Sequence, residues 1–274
     1  MTRTAVRATT DSKVPGRVST TMRVEDGAVR RIVFDRPDVK NAMTGAVAAE
    51  LADALADLDP ATHDAILLTG DGDAFSAGGD IEAMSEREES TPEAYERVRT
   101  TLGRVASNIL AAPVPVVAKV NGDAVGAGLS LVAVADFAYA AQSARFGASF
   151  ISVGLVPDMG ATAILPRLIG LRKTKELAFT GKLIDAEAAA EMDLINEAVE
   201  PAELDARTAD LLETLRAQPT ANLGLAKEAI HDNIGQSLQS GLRREARIQS
   251  LAYDTPAHSR GVEAFLDGRT PDFD

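Results

Sequence analysis

Two short glycine-bearing stretches carry the strongest candidates for chemistry. One, AFSAGGD, runs over 74–80, and the other, NGDAVGAGLSL, over 121–131. Each follows an apolar, strand-like run, AILLTG before the first and PVPVVAKV before the second. Glycine-rich turns between a strand and a helix commonly cradle phosphate. A dinucleotide fingerprint needs G-x-G-x-x-G; Gly126 and Gly128 supply the first half, but Leu131 stands where the third glycine belongs. A P-loop needs Gly-Lys followed by Ser or Thr, a triplet the sequence lacks. What remains is two loops of small residues, each able to aim one free backbone N–H at a common point. Such a pair is an oxyanion hole, and glycine or alanine leaves room for a carbonyl to approach it.

Other reactive groups are scarce. There is no cysteine, which removes disulfides, thiolate metal ligands and thiol nucleophiles together. The three histidines, His63, His231 and His258, are too far apart in sequence to form a metal-spaced set, and no metal is expected. The formal net charge of -13 and the absence of tryptophan argue against a general nucleic-acid or anionic-membrane binder. An anionic small ligand would need a local basic cluster. No apolar run approaches the ~18 residues of a membrane span, and the nearest, 129–141, is interrupted by Asp136. The first twenty residues are polar, basic and rich in Ser and Thr, without the apolar stretch of a secretory signal. They are read as a flexible tail (1–20), and a cytoplasmic location is expected.

The elements that must position the two loops are legible in outline. TTMRVED and VRRIVFD, separated by Asp26-Gly27, read as a β-hairpin. GAVAAELADALADL places Val47, Leu51, Leu55 and Leu58 on one helical face. AILLTG and PVPVVAKV read as buried strands, and a helix is expected from about 94 to 111 after a charged stretch, SEREESTPE. GAGLSLVAVA is apolar throughout and fits either a helix or a buried strand. DFAYAAQSARFGA reads as a strand and a turn, and from about 160 the pattern is mostly helical. Strand, small-residue loop and helix recur, so the class is α/β with parallel strands, followed by a helical C-terminal region.

Taken in order, DRPDVKNAM, AFSAGGDI, PVPVVAKVNGDAVGAGLSL and GLVPDMGATAILPRLIG resemble the enoyl-CoA hydratase/isomerase (crotonase) family, over about 23–273. The resemblance implies a spiral of ββα units over 21–200 and a helical region over 201–274 that assembles trimers, often paired into hexamers. It also implies an acyl-CoA substrate, with coenzyme A as part of that substrate and no separate cofactor. The oxyanion-hole donors fall on Gly79 and Ala127; the second is commonly glycine in the family, and alanine keeps the N–H. Lys40 matches a position near the coenzyme phosphates, while Arg36 reads as structural. Ala42, Ala77, Asp80 and Ile81 correspond to segments that line the pantetheine and adenine, although hydrogen bonding at the loop end is an equally simple role for Asp80. Phe265 matches an aromatic that reaches a neighbouring subunit's ligand, against helix-face packing as the plainer reading.

The resemblance also narrows the reaction. Hydratases of the family add water with two glutamates; the matching positions here are Ser130 and Phe150, and neither moves a proton at neutral pH. Both are assigned to the substrate pocket, Ser130 mainly as packing and Phe150 as a wall that keeps water out. The acidic residue of GLVPDMG, Asp158, matches the single catalytic carboxylate of enoyl-CoA isomerases and of the related epoxyphenylacetyl-CoA isomerases. Taken by itself, an aspartate after Pro157 and before a helical run is first a helix N-cap. The apolar neighbours Leu155, Val156 and Met159 would desolvate it and strengthen it as a base. The expected activity is a 3-enoyl-CoA to 2-enoyl-CoA isomerase. The alternatives are another reaction of the family (hydration, epoxide isomerisation or thioester hydrolysis) and a catalytically silent acyl-CoA binder.

Overall fold

A computed structural model of the chain describes residues 22–273; the tail expected over 1–20 lies outside the described residues. The hairpin forms as read, β1 (Met22–Glu25) pairing antiparallel with β2 (Val29–Phe34). From there the chain repeats one excursion. It lays a strand into a large sheet, then a short strand into a small sheet, then returns through helix. Thus β3 (Ala65–Gly70) is followed by β4 (Ala74–Ser76), β5 (Val116–Val120) by β6 (Asp123–Val125), and β7 (Phe137–Ala141) by β8 (Arg145–Gly147). The small sheet is completed by β9 (Ile184–Asp185), antiparallel to β8, and the large one by β10 (Glu197–Val199). The large sheet runs β1-β2-β3-β5-β7-β10, parallel from β2 onward, and the small one β4-β6-β8-β9.

Alternate residues of the central strands explain their uninterrupted apolar sequence. Ile66 and Leu68 of β3 and Val116, Ala118 and Val120 of β5 join the main core. Leu67 and Val117 point the other way and pack on Leu215, which lies on α9 (Leu204–Arg216). Both faces are covered, so neither strand alternates with polar residues. The main core is closed by α1 (Gly45–Ala54), whose Val47 and Leu51 are buried as the helical spacing requires, with Leu55 buried just beyond its end. It is also closed by α4 (Gly103–Ala111) and by α5 (Ala127–Val134). Every residue of α5 is buried. A helix surrounded by protein has no polar face, which is why its sequence carries no helical period.

The stretch between β4 and α4 holds two further helices, α2 (Ile81–Ser85) and α3 (Thr91–Arg97), and a π-helical turn, Val98–Leu102, joins α3 to α4. After β8 come a 3₁₀ turn (Ser149–Val153), α6 (Ala161–Leu168), α7 (Gly170–Thr180) and α8 (Ala186–Glu191). Beyond β10 the described chain is helical: α9, α10 (Thr220–Asn233), α11 (Leu238–Tyr253) and α12 (Pro256–Leu266).

One buried ion pair ties this helical region to the core. Lys227 of α10 is 8% exposed, and its ammonium donates to Asp136 (2.6 Å) and to the Ile109 carbonyl (2.7 Å). Asp136 also accepts from the Val116 N–H at 2.8 Å, so one carboxylate joins β5 to α10. Desolvation pulls the Lys227 ammonium below the usual lysine range, and Asp136 opposes that. Lys227→Met should therefore leave a buried carboxylate unpaired and cost about 3–5 kcal/mol in urea unfolding. Adding Asp136→Asn should recover part of the loss.

Candidate active site

Strands β4 and β6 run parallel as neighbours, so the loops that follow them leave the sheet at the same end. Glycine lets them touch. A Cβ on Gly78 would lie 2.7 Å from the Val125 carbonyl oxygen and 3.3 Å from the Ala127 nitrogen. A Cβ on Gly128 would lie 2.4 Å from the Ser76 carbonyl oxygen, so the start of α5 rests directly on β4. Gly78 and Gly126 also take positive φ, +93° and +56°, which L side chains adopt at a cost.

The backbone pairing then leaves two N–H groups unspent. Met43 bridges to the first loop on both sides of Gly79: its N–H donates to the Gly78 carbonyl (2.7 Å), and its carbonyl accepts from the Asp80 N–H (3.0 Å). Alternation along an extended chain turns the intervening Gly79 N–H to the opposite side, where it has no acceptor among the described residues. Ala127 is the first residue of α5, and a first-turn N–H has no partner within its own helix. The donor before it is used, Gly126 N–H to the Gly147 carbonyl at 2.8 Å. Gly79 and Ala127 line one cavity of about 260 Å³, and the helix dipole of α5 adds to the partial positive charge there.

Asp158 lines the same cavity. It is not a helix cap: α6 begins after Gly160, and no side chain caps it. Instead Met159 and Gly160 both take left-handed backbone (φ 48° and 83°), and the Ala161 N–H closes the turn on the Asp158 carbonyl at 3.0 Å. Asp158 Oδ1 is buried with no hydrogen-bond partner among the described residues, and the carboxyl's local hydrogen bond comes from its own backbone N–H. Burial pushes the carboxyl up to about 6, a rise that the nearby Arg97 guanidinium moderates. The apolar neighbours contribute unequally. Met159 is buried and Leu155 lines the cavity, but Val156 is 75% exposed and takes no part in the desolvation.

The remaining assigned residues divide. Ala77, Ile81 and Phe150 line the cavity with Asp158. Ser130 does not: it is fully buried within α5, and its Oγ turns back toward the Gly126 carbonyl at 3.4 Å, so its place is packing and not the substrate pocket. Asp80 is committed to its own loop, capping α2 through the Ala83 N–H (3.0 Å) and pairing with Arg36 (2.9 Å), which holds its carboxyl below the usual range. Ala42 is likewise closed off, its N–H on Val39 and its carbonyl on Arg36. Neither lines the cavity, and Arg36 is structural as read. Lys40 is exposed and has no ion-pair partner among the described residues; its carbonyl accepts from the Ala77 N–H (2.8 Å), which fixes it beside the cavity rim. Phe265, 83% exposed on α12, does not line this cavity. Asp123 pairs with Arg145 (2.6 Å) and is structural.

Sequence reasoning missed the opposite wall. Met84, Arg87, Arg97, Thr101 and Leu102, from α2 through the π turn, all line the cavity. The Met84 methyl lies 2.1 Å from where a Cβ on Gly79 would sit, so it roofs the first donor. Arg97 donates twice to Glu89, at 2.9 and 2.7 Å. A π turn places an extra residue into the helix at the point where these side chains face inward, a common arrangement at functional sites.

Residues 25–274 match the family model for enoyl-CoA hydratase/isomerase. The chain belongs to the enoyl-CoA hydratase/isomerase family. Among its relatives, a protein of Rhodobacter capsulatus named as a probable enoyl-CoA hydratase is 37% identical over 88% of this chain and 93% of its own. The 1,2-epoxyphenylacetyl-CoA isomerase of Escherichia coli is 34% identical over 91% of this chain and 96% of its own. The crystal structure of the enoyl-CoA hydratase of Mycobacterium smegmatis superposes with a TM-score of 0.86 at 30% identity, covering 92% of this chain and 98% of that one. The fold is the family's crotonase fold, the family acts on acyl-CoA substrates, and the chain is an enzyme of that family. No helix among the described residues is long and apolar enough to cross a membrane.

The elevated Asp158 carboxyl has a stability consequence. Its folded value of about 6 lies above the ordinary 3.8, so ionisation penalises the folded state at high pH and not at low pH. Asp158→Asn should raise thermal stability at pH 8 by up to about 3 kcal/mol. The gain should fade as pH drops from about 6 through the ordinary carboxylate value of 3.8. Calorimetry at pH 8 and pH 4 checks the gain and its disappearance.

Proposed function

We propose that this enzyme is an acyl-CoA isomerase that converts 3-enoyl-CoA to 2-enoyl-CoA with Asp158 as its single acid–base group. The observation that carries the reading is that Asp158 is the sole carboxylate among the described residues lining a cavity that also holds the Gly79 and Ala127 donors. Proton transfer within one substrate needs one such group. Adding water needs a second to prepare the water, and no other carboxylate among the described residues lines the cavity.

In the proposed reaction the thioester carbonyl oxygen sits between the Gly79 and Ala127 N–H groups. The Asp158 carboxylate takes a proton from C2, and the electron pair spreads through the C3–C4 double bond to the carbonyl oxygen as a dienolate. The two N–H groups bind that oxyanion better than the neutral carbonyl, each contributing about 3 kcal/mol. The protonated Asp158 then returns the proton at C4, which leaves the double bond between C2 and C3. A carboxyl near 6 suits both halves: it is largely ionised at neutral pH, yet basic enough to accept a carbon proton and to give it back. Phe150 lines the cavity and limits water there.

The coenzyme is assigned to the rim beside Ala77 and Ile81, with Lys40 supplying the local positive charge. Exposed apolar residues on the C-terminal helices, among them Leu238, Phe265 and Leu266 at about four-fifths exposure, favour assembly into a trimer or a pair of trimers. In that assembly Phe265 would reach a neighbour's coenzyme. The likeness to the epoxyphenylacetyl-CoA isomerase makes isomerisation of an aromatic acyl-CoA epoxide the second reading, one that uses the same carboxylate.

Incubation with 3-enoyl-CoA should generate the absorbance of the conjugated thioester. Incubation with 2-enoyl-CoA should yield no 3-hydroxyacyl-CoA, and rapid formation of that product would overturn the assignment. Asp158→Asn should lower isomerisation about 10²–10⁴-fold and leave acyl-CoA binding nearly unchanged. Because the base works ionised, kcat/KM should fall with acid through about pH 6 and level off above it.

A further inference from the structure

The wall opposite Asp158 holds two arginines in a chain whose net charge is -13, and the proposed mechanism leaves both unused. Arg97 closes α3 at the edge of the π turn. Glu89, in the connection between α2 and α3, grips it through both carboxylate oxygens and lies a looser 3.9 Å from Arg87. The guanidinium is thus fixed in place and keeps its charge. Arg97 and Asp158 line the same cavity without touching, and each feels the other's charge. Around Asp158 the other faces are uncharged. The β4 loop offers Ala77, Gly79 and Ile81, the α5 start offers Val125, Gly126 and Ala127, and its own segment offers Ser149, Phe150, Ser152 and Leu155. Of the remaining lining residues, Arg87 alone is charged.

An isolated carboxylate in such a cavity would hold its proton and fail as a base. We propose that Arg97, clamped by Glu89, is a positioning residue whose fixed positive charge keeps Asp158 ionised in the empty site, and that Glu89 tempers that charge so that Asp158 stays basic. The inference rests on Asp158 being the base, and it concerns how that base is set. When Asp158 takes the C2 proton and becomes neutral, the negative charge moves to the thioester oxygen. Arg97 then loses its partner at Asp158 but keeps Glu89, so the cavity wall need not rearrange during the step.

The test reads Asp158 directly, by NMR titration of 13C-labelled aspartate carboxyls, with Asp158→Asn identifying the signal, alongside the pH dependence of isomerisation. Arg97→Met keeps the length of the side chain and removes its charge; the Asp158 midpoint and the acid limb should both move up by about one pH unit, a tenfold loss of the ionised form on that limb. Glu89→Gln still accepts from Arg97 but lacks the negative charge, and should move both the opposite way. Arg97→Lys should restore most of the Arg97→Met shift. If Arg97 only staples α3 to the preceding loop, Arg97→Met lowers thermal stability and leaves the midpoint in place, and the proposal falls. Should Arg97→Met fail to fold, an unmoved midpoint in Glu89→Gln overturns it equally. A moved midpoint in a protein whose Asp158→Asn variant remains fully active would instead sink the reading of Asp158 as the base and leave the electrostatic coupling standing.

Discussion

The structure depends on one close approach, that of two backbone loops at the shared end of β4 and β6. Gly78 lies against Val125 and Ala127, and Gly128 against Ser76, at distances that leave no room for a Cβ. If those contacts opened by the width of a methyl group, the Gly79 and Ala127 N–H groups would no longer meet at one point. Much of the surrounding architecture serves that contact. Asn41 donates to the Asp71 and Ala74 carbonyls and accepts from the Arg36 N–H, which seats Met43 beside the first loop. Met43 then consumes the hydrogen bonds on either side of Gly79.

The second requirement works against stability, not with it. Asp158 is held in a turn that passes through left-handed backbone at Met159, and its Oδ1 finds no hydrogen bond among the described residues. A buried polar atom without a partner is costly and is kept where it serves a purpose. Here burial raises the carboxyl to about 6, a range in which a carboxyl can both take and return a proton. The buried Lys227–Asp136 pair offers the contrast, since each of those charges is fully answered and the pair is left to hold α10 against β5.

How much of this was legible in the sequence varied with the length and exposure of each element. The hairpin at Asp26-Gly27 and the buried face of α1 could be read because turn chemistry and a helical period both leave marks in composition. β4 and β6 could not: at three residues each they are too short to show a strand period, so they were absorbed into the loops they shape. α5 stayed ambiguous because a wholly buried helix has no polar face. At the site, the two small-residue loops were legible, as were the plainer readings of Ser130 as packing and of Asp80 as a hydrogen-bonding residue at a loop end. Arg97 was invisible for a different reason. Its place opposite Asp158 depends on the π turn and on a grip from Glu89, eight positions away, and neither has a motif.

The Gly79 and Ala127 donors belong to the main chain, and that has a consequence for inheritance. A backbone N–H survives every substitution except proline, so alanine at 127 preserves the hydrogen bond that a glycine there would make. The roof over it is different in kind. Met84, Leu102 and the arginines reach the cavity with their side chains, and any mutation there changes the shape or charge of the space. The donor N–H groups thus survive side-chain change only while Gly78 and Gly128 keep the loops in contact, whereas the roof changes with every substitution. Under the proposed function, such a division lets a lineage exchange acyl groups while the oxyanion donors stay the same.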